Sequence, residues 1–338
     1  MASDQVRQNS LIITSCFFTA ISTMVVIARM FIRAVLIRKA GLDDYCMIIG
    51  MVFTLAYLAE IFVGKANHIG FPSKDLSLDN MTNLLKDTLA IQVTYYVCIS
   101  AIKISILCMY LRFAGVRSLN ILCICTIAFH LLFFVICVGV TLSQCQPLYD
   151  MWDLTGTVDG VCINTTAFFY FSSGFNIVTD IWILILPIKT LMGILRPRRE
   201  KIALGIIFGV GVFATITSIV RLYTIYTYTL AKDPFQQSIL INIWSMLEIN
   251  IGIICASVPA LKPLFTPRAL REAAGRNKPG GYQHHGQKRS GTHLNDYRSK
   301  GRTQTPCSLD RAGGQGNPTT VSQDTSSKSG SEDSILGV

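Results

Sequence analysis

Residues 244–264 read WSMLEINIGIICASVPALKPL. A helix that crosses a bilayer needs roughly 20 mainly apolar residues, and this run supplies them. One carboxylate, Glu248, stands inside it. A charge at the centre of a membrane helix costs roughly 2.5–3.5 kcal/mol on the insertion scale, so it must face protein or water rather than lipid. The stretch therefore predicts a helix packed inside a bundle, and it raises the question of what Glu248 faces.

The remaining sequence agrees. Of 338 residues, 51% are hydrophobic and 15% charged, where a soluble domain carries about 25% charged residues. Apolar runs predict seven spans, near Leu11 to Phe31, Tyr45 to Val63, Thr88 to Tyr110, Leu119 to Leu142, Thr165 to Leu186, Ile202 to Tyr223 and Ser238 to Ala260. The expected fold is all-α, a polytopic membrane protein built as a seven-transmembrane-helix bundle. The first ten residues, MASDQVRQNS, lack the basic start of a cleavable signal peptide and are expected to form an extracellular N-terminus. The membrane domain then covers 11–265. Residues 266–338, rich in Gly, Ser, Gln, Lys and Arg, are expected to form a disordered cytoplasmic tail, because they cannot bury enough apolar surface to fold.

Loop charges give an orientation. One side holds five basic residues: Arg7, Lys65, Lys74, Lys86 and Lys232. The other holds ten: Arg33, Arg38, Lys39, Arg112, Arg117, Lys189, Arg196, Arg198, Arg199 and Lys201. The tail adds Lys262, Arg268 and Arg271 to the second side. This places the N-terminus outside and the C-terminus in the cytosol, most simply at the plasma membrane. The net charge of +10 is then a topology signal and a contact for anionic lipid, and no nucleic-acid partner is called for. The glycosylation sequons at Asn80 and Asn164 both fall in expected outside loops.

Eight of eleven cysteines lie in or beside spans, where they read as small packing residues. Cys145 and Cys162 share one expected outside loop, SQCQPLYDMWDLTGTVDGVCIN, and are expected to form a disulfide. No Cys or His spacing suggests a metal site, and no cofactor is called for.

Six charges lie within spans: Arg29, Glu60, Lys103, Asp180, Arg221 and Glu248. Gln92, Tyr96, Ser100 and Lys103 form one polar stripe on span 3, and Ser173, Asn176 and Asp180 form another on span 5. In span 7, Glu248 sits on a face of small residues that permits close helix approach. Depth suggests a buried polar core of Lys103, Asp180 and Glu248, with Asn176 and Tyr96 beside it. Depth also suggests an outer ion pair between Glu60 and Arg221, while Arg29 snorkels to the cytosolic edge. Asp43 and Asp44, at the start of span 2, are expected to cap that helix. The buried charges suit either fixed ion pairs that set helix register or a ligand pocket, proton relay or switch.

Several motifs together resemble a known family. They are AGLDDYCMIIG at residues 40–50, KISILCMYLRF at 103–113, CQPLYDMWD at 145–153 followed by GVCIN at 160–164, NIVTDIWILILP at 176–187, SIVRLY at 218–223, and the opening run. With these the chain resembles the fungal rhodopsin-domain integral membrane proteins, which include receptor-like members of plant-pathogenic fungi and the satratoxin-cluster membrane protein group. The resemblance implies a seven-helix bundle, with Asp43, Asp44, Lys103, Arg112, Asp180, Arg221 and Glu248 at its characteristic polar positions. It does not imply retinal, because Ser238 to Ala260 contains no lysine for a Schiff base. An acidic-Arg-Tyr triplet in span 3 and an Asn-Pro-x-x-Tyr in span 7 are also missing, so coupling to G proteins is analogy only.

Three functions compete. A receptor-like sensor would bind a small molecule or surface ligand and engage a cytoplasmic signalling partner through its basic loops and tail. A transporter or accessory membrane protein of a secondary-metabolite pathway is the alternative, although no internal repeat supports transport. A membrane-embedded enzyme fits least, and the expectation is that the protein is not one, because no metal cluster, nucleophile elbow or phosphate loop is visible.

Overall fold

The computed structural model describes residues 2–38, 41–113, 117–157, 159–192, 198–231 and 233–261. The expected tail and Lys39, Arg196, Lys232, Lys262, Arg268 and Arg271 lie outside the described residues. Seven helices are long and apolar enough to cross a membrane: α1 (Ala2–Phe31), α2 (Leu42–Ala66), α3 (Leu78–Phe113), α4 (Arg117–Leu142), α5 (Thr165–Met192), α6 (Arg198–Thr229) and α7 (Pro234–Leu261). In a bilayer every backbone polar group must be satisfied within the segment, which is why the apolar runs become helices. The end that carries the start of α1 is called the upper face below, and the opposite end the lower face.

Several helices run past the apolar runs that predict them. α1 begins at Ala2, so the polar N-terminal stretch is helix rather than a separate segment. It is held there by side-chain bonds: Gln8 donates to the carbonyls of Lys65 (3.3 Å) and Ile69 (3.4 Å), and Gln236 donates to Asp4 (3.2 Å). α3 begins at Leu78, with the Ser77 hydroxyl accepting from the Asn80 N–H at 3.2 Å. Asn80 therefore sits in the first turn of a helix rather than in a loop. Asn164 is exposed, and its side chain accepts from the Ala167 N–H (3.1 Å), capping α5.

α7 occupies the centre, packed on α1, α2, α3 and α6. α3 lies along α2 on one side and α4 on the other, while α4 is the most lipid-exposed helix. The main apolar core joins α1, α2, α3 and α7 through Leu11, Met47, Tyr57, Ile61, Ile249 and Ile253. The outward surfaces of α1, α2, α4, α5, α6 and α7 carry large exposed apolar side chains, as lipid contact requires, whereas on α3 such a residue appears at Leu78 in its first turn.

Between α4 and α5 the chain forms a two-stranded antiparallel sheet, β1 (Cys145–Gln146) and β2 (Val161–Cys162). Cys145 pairs with Cys162 in its register, and the two are joined by a disulfide. The enclosed loop lies over α3, with Lys86 above the Trp152 ring at 5.6 Å. The hydroxyls of Thr155 and Thr157 bind the Asp153 carboxylate and hold its pKa down at about 2.

Candidate functional site

Glu248 faces an ion-pair network. Its Oε2 lies 2.8 Å from Arg221 Nε and accepts from the Tyr95 hydroxyl at 2.9 Å. Its Oε1 accepts from Asn176 Nδ2 and from Ser218 Oγ, both at 2.6 Å. Arg221 also donates to Ser173 Oγ (3.2 Å), and its guanidinium stacks 4.3 Å from the centre of the Tyr95 ring. A desolvated cation over an aromatic face gains about 2 kcal/mol.

A second pair lies beside the first. Lys103 Nζ is 2.9 Å from Asp180 Oδ1, and it donates to Asn176 Oδ1 and Thr179 Oγ1, both at 2.6 Å, and to the Asn176 carbonyl at 2.9 Å. Two neutral side chains tie the pairs together. Asn176 offers its oxygen to Lys103 and its NH₂ to Glu248. Ser218 Oγ lies 2.6 Å from Glu248 Oε1 and 2.8 Å from Asp180 Oδ2. A hydroxyl has one proton to donate, so Ser218 serves one carboxylate at a time. The network joins α3, α5, α6 and α7 and sums to zero charge, the condition under which such groups tolerate burial. A cavity of about 70 Å³ extends from it toward the lower face. Lys103, Asp180, Ser218 and Glu248 form its polar end, and Ile102, Ile106 and Ile183 are among its apolar walls.

Of the residues expected in this core, Lys103, Asn176, Asp180 and Glu248 are brought together. Tyr96 does not hydrogen-bond either carboxylate among the described residues. Its hydroxyl bonds Ser172 (3.1 Å), and Tyr95, one residue earlier and rotated by a helical step, takes the place beside Glu248. The expected pair of Glu60 and Arg221 does not form. α2 packs on α3 and α6 on α5 and α7, so Glu60 meets Thr94 (2.7 Å) while Arg221 turns to Glu248. Sequence reading also missed Ser218, although it lies three residues before Arg221 on the same helical face.

A second cluster lies near the lower face. Arg29 is fully buried and does not snorkel. It reaches Asp43 Oδ2 (2.8 Å), Asp44 Oδ1 (2.9 Å) and the Ala256 carbonyl of α7 (2.6 Å). Pro259 lacks an N–H, so it cannot make the i→i−4 bond to the neighbouring Cys255 carbonyl in the same turn of α7. Asp43 also faces Arg33 (3.3 Å) and Arg112 (3.4 Å). The expected capping role falls to Asp44 alone, which accepts from the Gly41 N–H at 3.1 Å while holding Arg29. The two carboxylates therefore clamp α1, α2, α3 and α7 together.

The fungal rhodopsin domain matches residues 28–267. The chain belongs to this family. It is 26% identical over 262 residues to "Receptor GIN3" of Arthrobotrys oligospora, covering 75% of this chain and 62% of that protein. It is 31% identical over 183 residues to a "SAT4 family membrane protein" of Emericella nidulans, covering 52% of this chain and 44% of that one. It is 25% identical over 281 residues to "Polyenoic acids biosynthesis gene cluster protein Ba17b" of Metarhizium anisopliae, covering 78% and 76%. The chain thus spans about three fifths of the receptor's length and under half of the SAT4 relative's. Proteins with receptor and gene-cluster names both stand among its relatives.

Proposed function

We propose that this chain is a receptor-like sensor whose buried two-pair network is the element that changes state. Ser218 carries the reading. Its single hydroxyl proton stands between two carboxylates on different helices, so the network has two hydrogen-bonding arrangements of similar make-up. A ligand that favours one arrangement shifts α6 against α5 and α7, as a two-state element requires. The cavity beside the network supports the same reading. Loop charges support an N-terminus outside, basic loops and tail in the cytosol facing a signalling partner, and a plasma-membrane location.

Gene-cluster names among the relatives favour a second reading, an accessory membrane protein of a secondary-metabolite pathway. A deletion strain profiled for metabolite output and for surface-sensing behaviour separates the two. The sensor reading expects the sensing defect, unrestored by Ser218→Ala protein present at normal level. Loss of one metabolite class with sensing intact overturns it in favour of the pathway role.

A further inference from the structure

The face of α4 that packs on α3 is polar in a helix otherwise turned to lipid. His130, Cys137 and Thr141 lie along it, 4%, 1% and 0% exposed, and Gln144 follows just past the helix end. Both ring nitrogens of His130 and the hydroxyl of Thr141 have no hydrogen-bond partner among the described residues. A buried polar group left unsatisfied costs roughly 1–3 kcal/mol, and native structures pair such groups with protein or with water. Thr141 does not bond back along its helix, whereas Thr126 of the same helix does so to Leu122 at 2.8 Å.

A cavity of about 20 Å³ adjoins His130; Ser100, Asn176 and Arg221 are among its polar lining, and Ile99, Phe133 and Cys137 are among its apolar wall. A water needs about 10–15 Å³ and two to four polar partners, so the space admits one water and nothing larger. Asn176 and Arg221 belong to the paired-charge network. Toward the lower face the α3–α4 contact is closed by an apolar cluster of Leu107, Leu119 and Cys123 with Ile127. Toward the upper face the polar row continues through Thr141 to Gln144, which donates to Gln92 at 3.2 Å.

We propose that this cavity is a buried water-binding site that joins His130 to the network through Ser100 and Asn176. The water exchanges with the upper face along Thr141 and the Gln92–Gln144 bond. The water gives one ring nitrogen of an otherwise orphaned imidazole a partner, and gives the network a hydrated contact with α4. It does not depend on the sensing role, since a network that only fixes helix register would hold the same water.

X-ray radiolytic footprinting of the purified full-length protein tests this, because hydroxyl radicals formed from bound water oxidise the side chains beside it. Cys137 is expected to be modified about tenfold faster than Cys123, which is equally buried on the same helix but packed in the apolar cluster, away from any water. Ser100→Leu fills the cavity and removes that difference. Thr141→Leu slows the uptake of ¹⁸O from labelled water into the Cys137 product. Equal rates at Cys137 and Cys123 in the unmodified protein overturn the site, whatever the variants do. Unchanged ¹⁸O uptake in a folded Thr141→Leu protein overturns the route.

Discussion

Glu248 is where the residue scale is clearest. Four polar groups converge on one carboxylate, so removing its charge partner strands it. Breaking a buried pair from one side costs about 3–5 kcal/mol, whereas replacing both partners by well-packed apolar groups is often neutral. Lys103→Met is therefore expected to lower thermal stability sharply, and Lys103→Met with Asp180→Leu to recover most of it, as melting of the detergent-solubilised protein would read out. Arg29→Met should also destabilise, since it removes the closest charged partner of both Asp43 (2.8 Å) and Asp44 (2.9 Å) and leaves Arg33 and Arg112 to face Asp43. A snorkelling arginine would lose almost nothing, so the size of that loss separates the two placements. Depth along a helix is legible in sequence, and it was enough to group Lys103, Asp180 and Glu248. Direction around the helix axis is less so. Depth also groups Arg221 with Glu60 near the outer ends of their helices, apart from Glu248, and the packing of α6 on α7 overrides that grouping. Tyr95 and Tyr96 differ by one residue, and no apolar pattern says which hydroxyl meets the acid.

At the scale of elements, the seven spans are legible because lipid enforces length and apolarity together. Their ends are not. The first ten residues of α3, and Ala2–Ser10 of α1, are polar turns above the apolar belt, held by contacts such as Gln8 to Ile69 that no hydropathy pattern carries. Three predictions belong here. Opening the disulfide with Cys145→Ser and Cys162→Ser removes the restraint on its loop in the unfolded chain, an effect of roughly 3 kcal/mol for a loop of this size; a melting temperature that stays put would show the sheet to be self-supporting. In the same loop, Asp153 has a pKa lowered from 3.8 to about 2, so its contribution is complete above its ordinary value and is lost as pH falls to about 2. Protection of the Thr155 and Thr157 amides, relative to their intrinsic exchange rates, is expected to persist at pH 3 and to be lost only as pH falls through about 2. On α7, Gly252 rests against Ile102, and an added Cβ would stand 3.3 Å from it. Gly252→Leu is expected to overpack that contact, at about 1–3 kcal/mol, and to reduce the folded yield.

For the whole molecule, two charged clusters divide the labour. The Arg29–Asp43–Asp44 clamp holds α1, α2, α3 and α7 near the lower face. The network around Glu248 joins α3, α5, α6 and α7 deeper in the bundle. α3 and α7 belong to both, which makes them the fixed frame; α5 is tied to it by the Lys103–Asp180 pair and Asn176, and α6 by the Arg221–Glu248 pair and Ser218. Motion of α6 relative to the frame is the simplest two-state change that this wiring allows. The central structural claim is that Arg221 and Glu248 pair and that their pair is coupled to Lys103 and Asp180. Double-mutant cycles on thermal unfolding test it most directly. Arg221→Gln with Glu248→Gln should show a coupling of about 0.5–3 kcal/mol, Glu248→Gln with Asp180→Asn a smaller but measurable one, and Arg221→Gln with Glu60→Gln simple additivity. Coupling of Arg221 to Glu60, with Arg221 and Glu248 additive, would contradict the account.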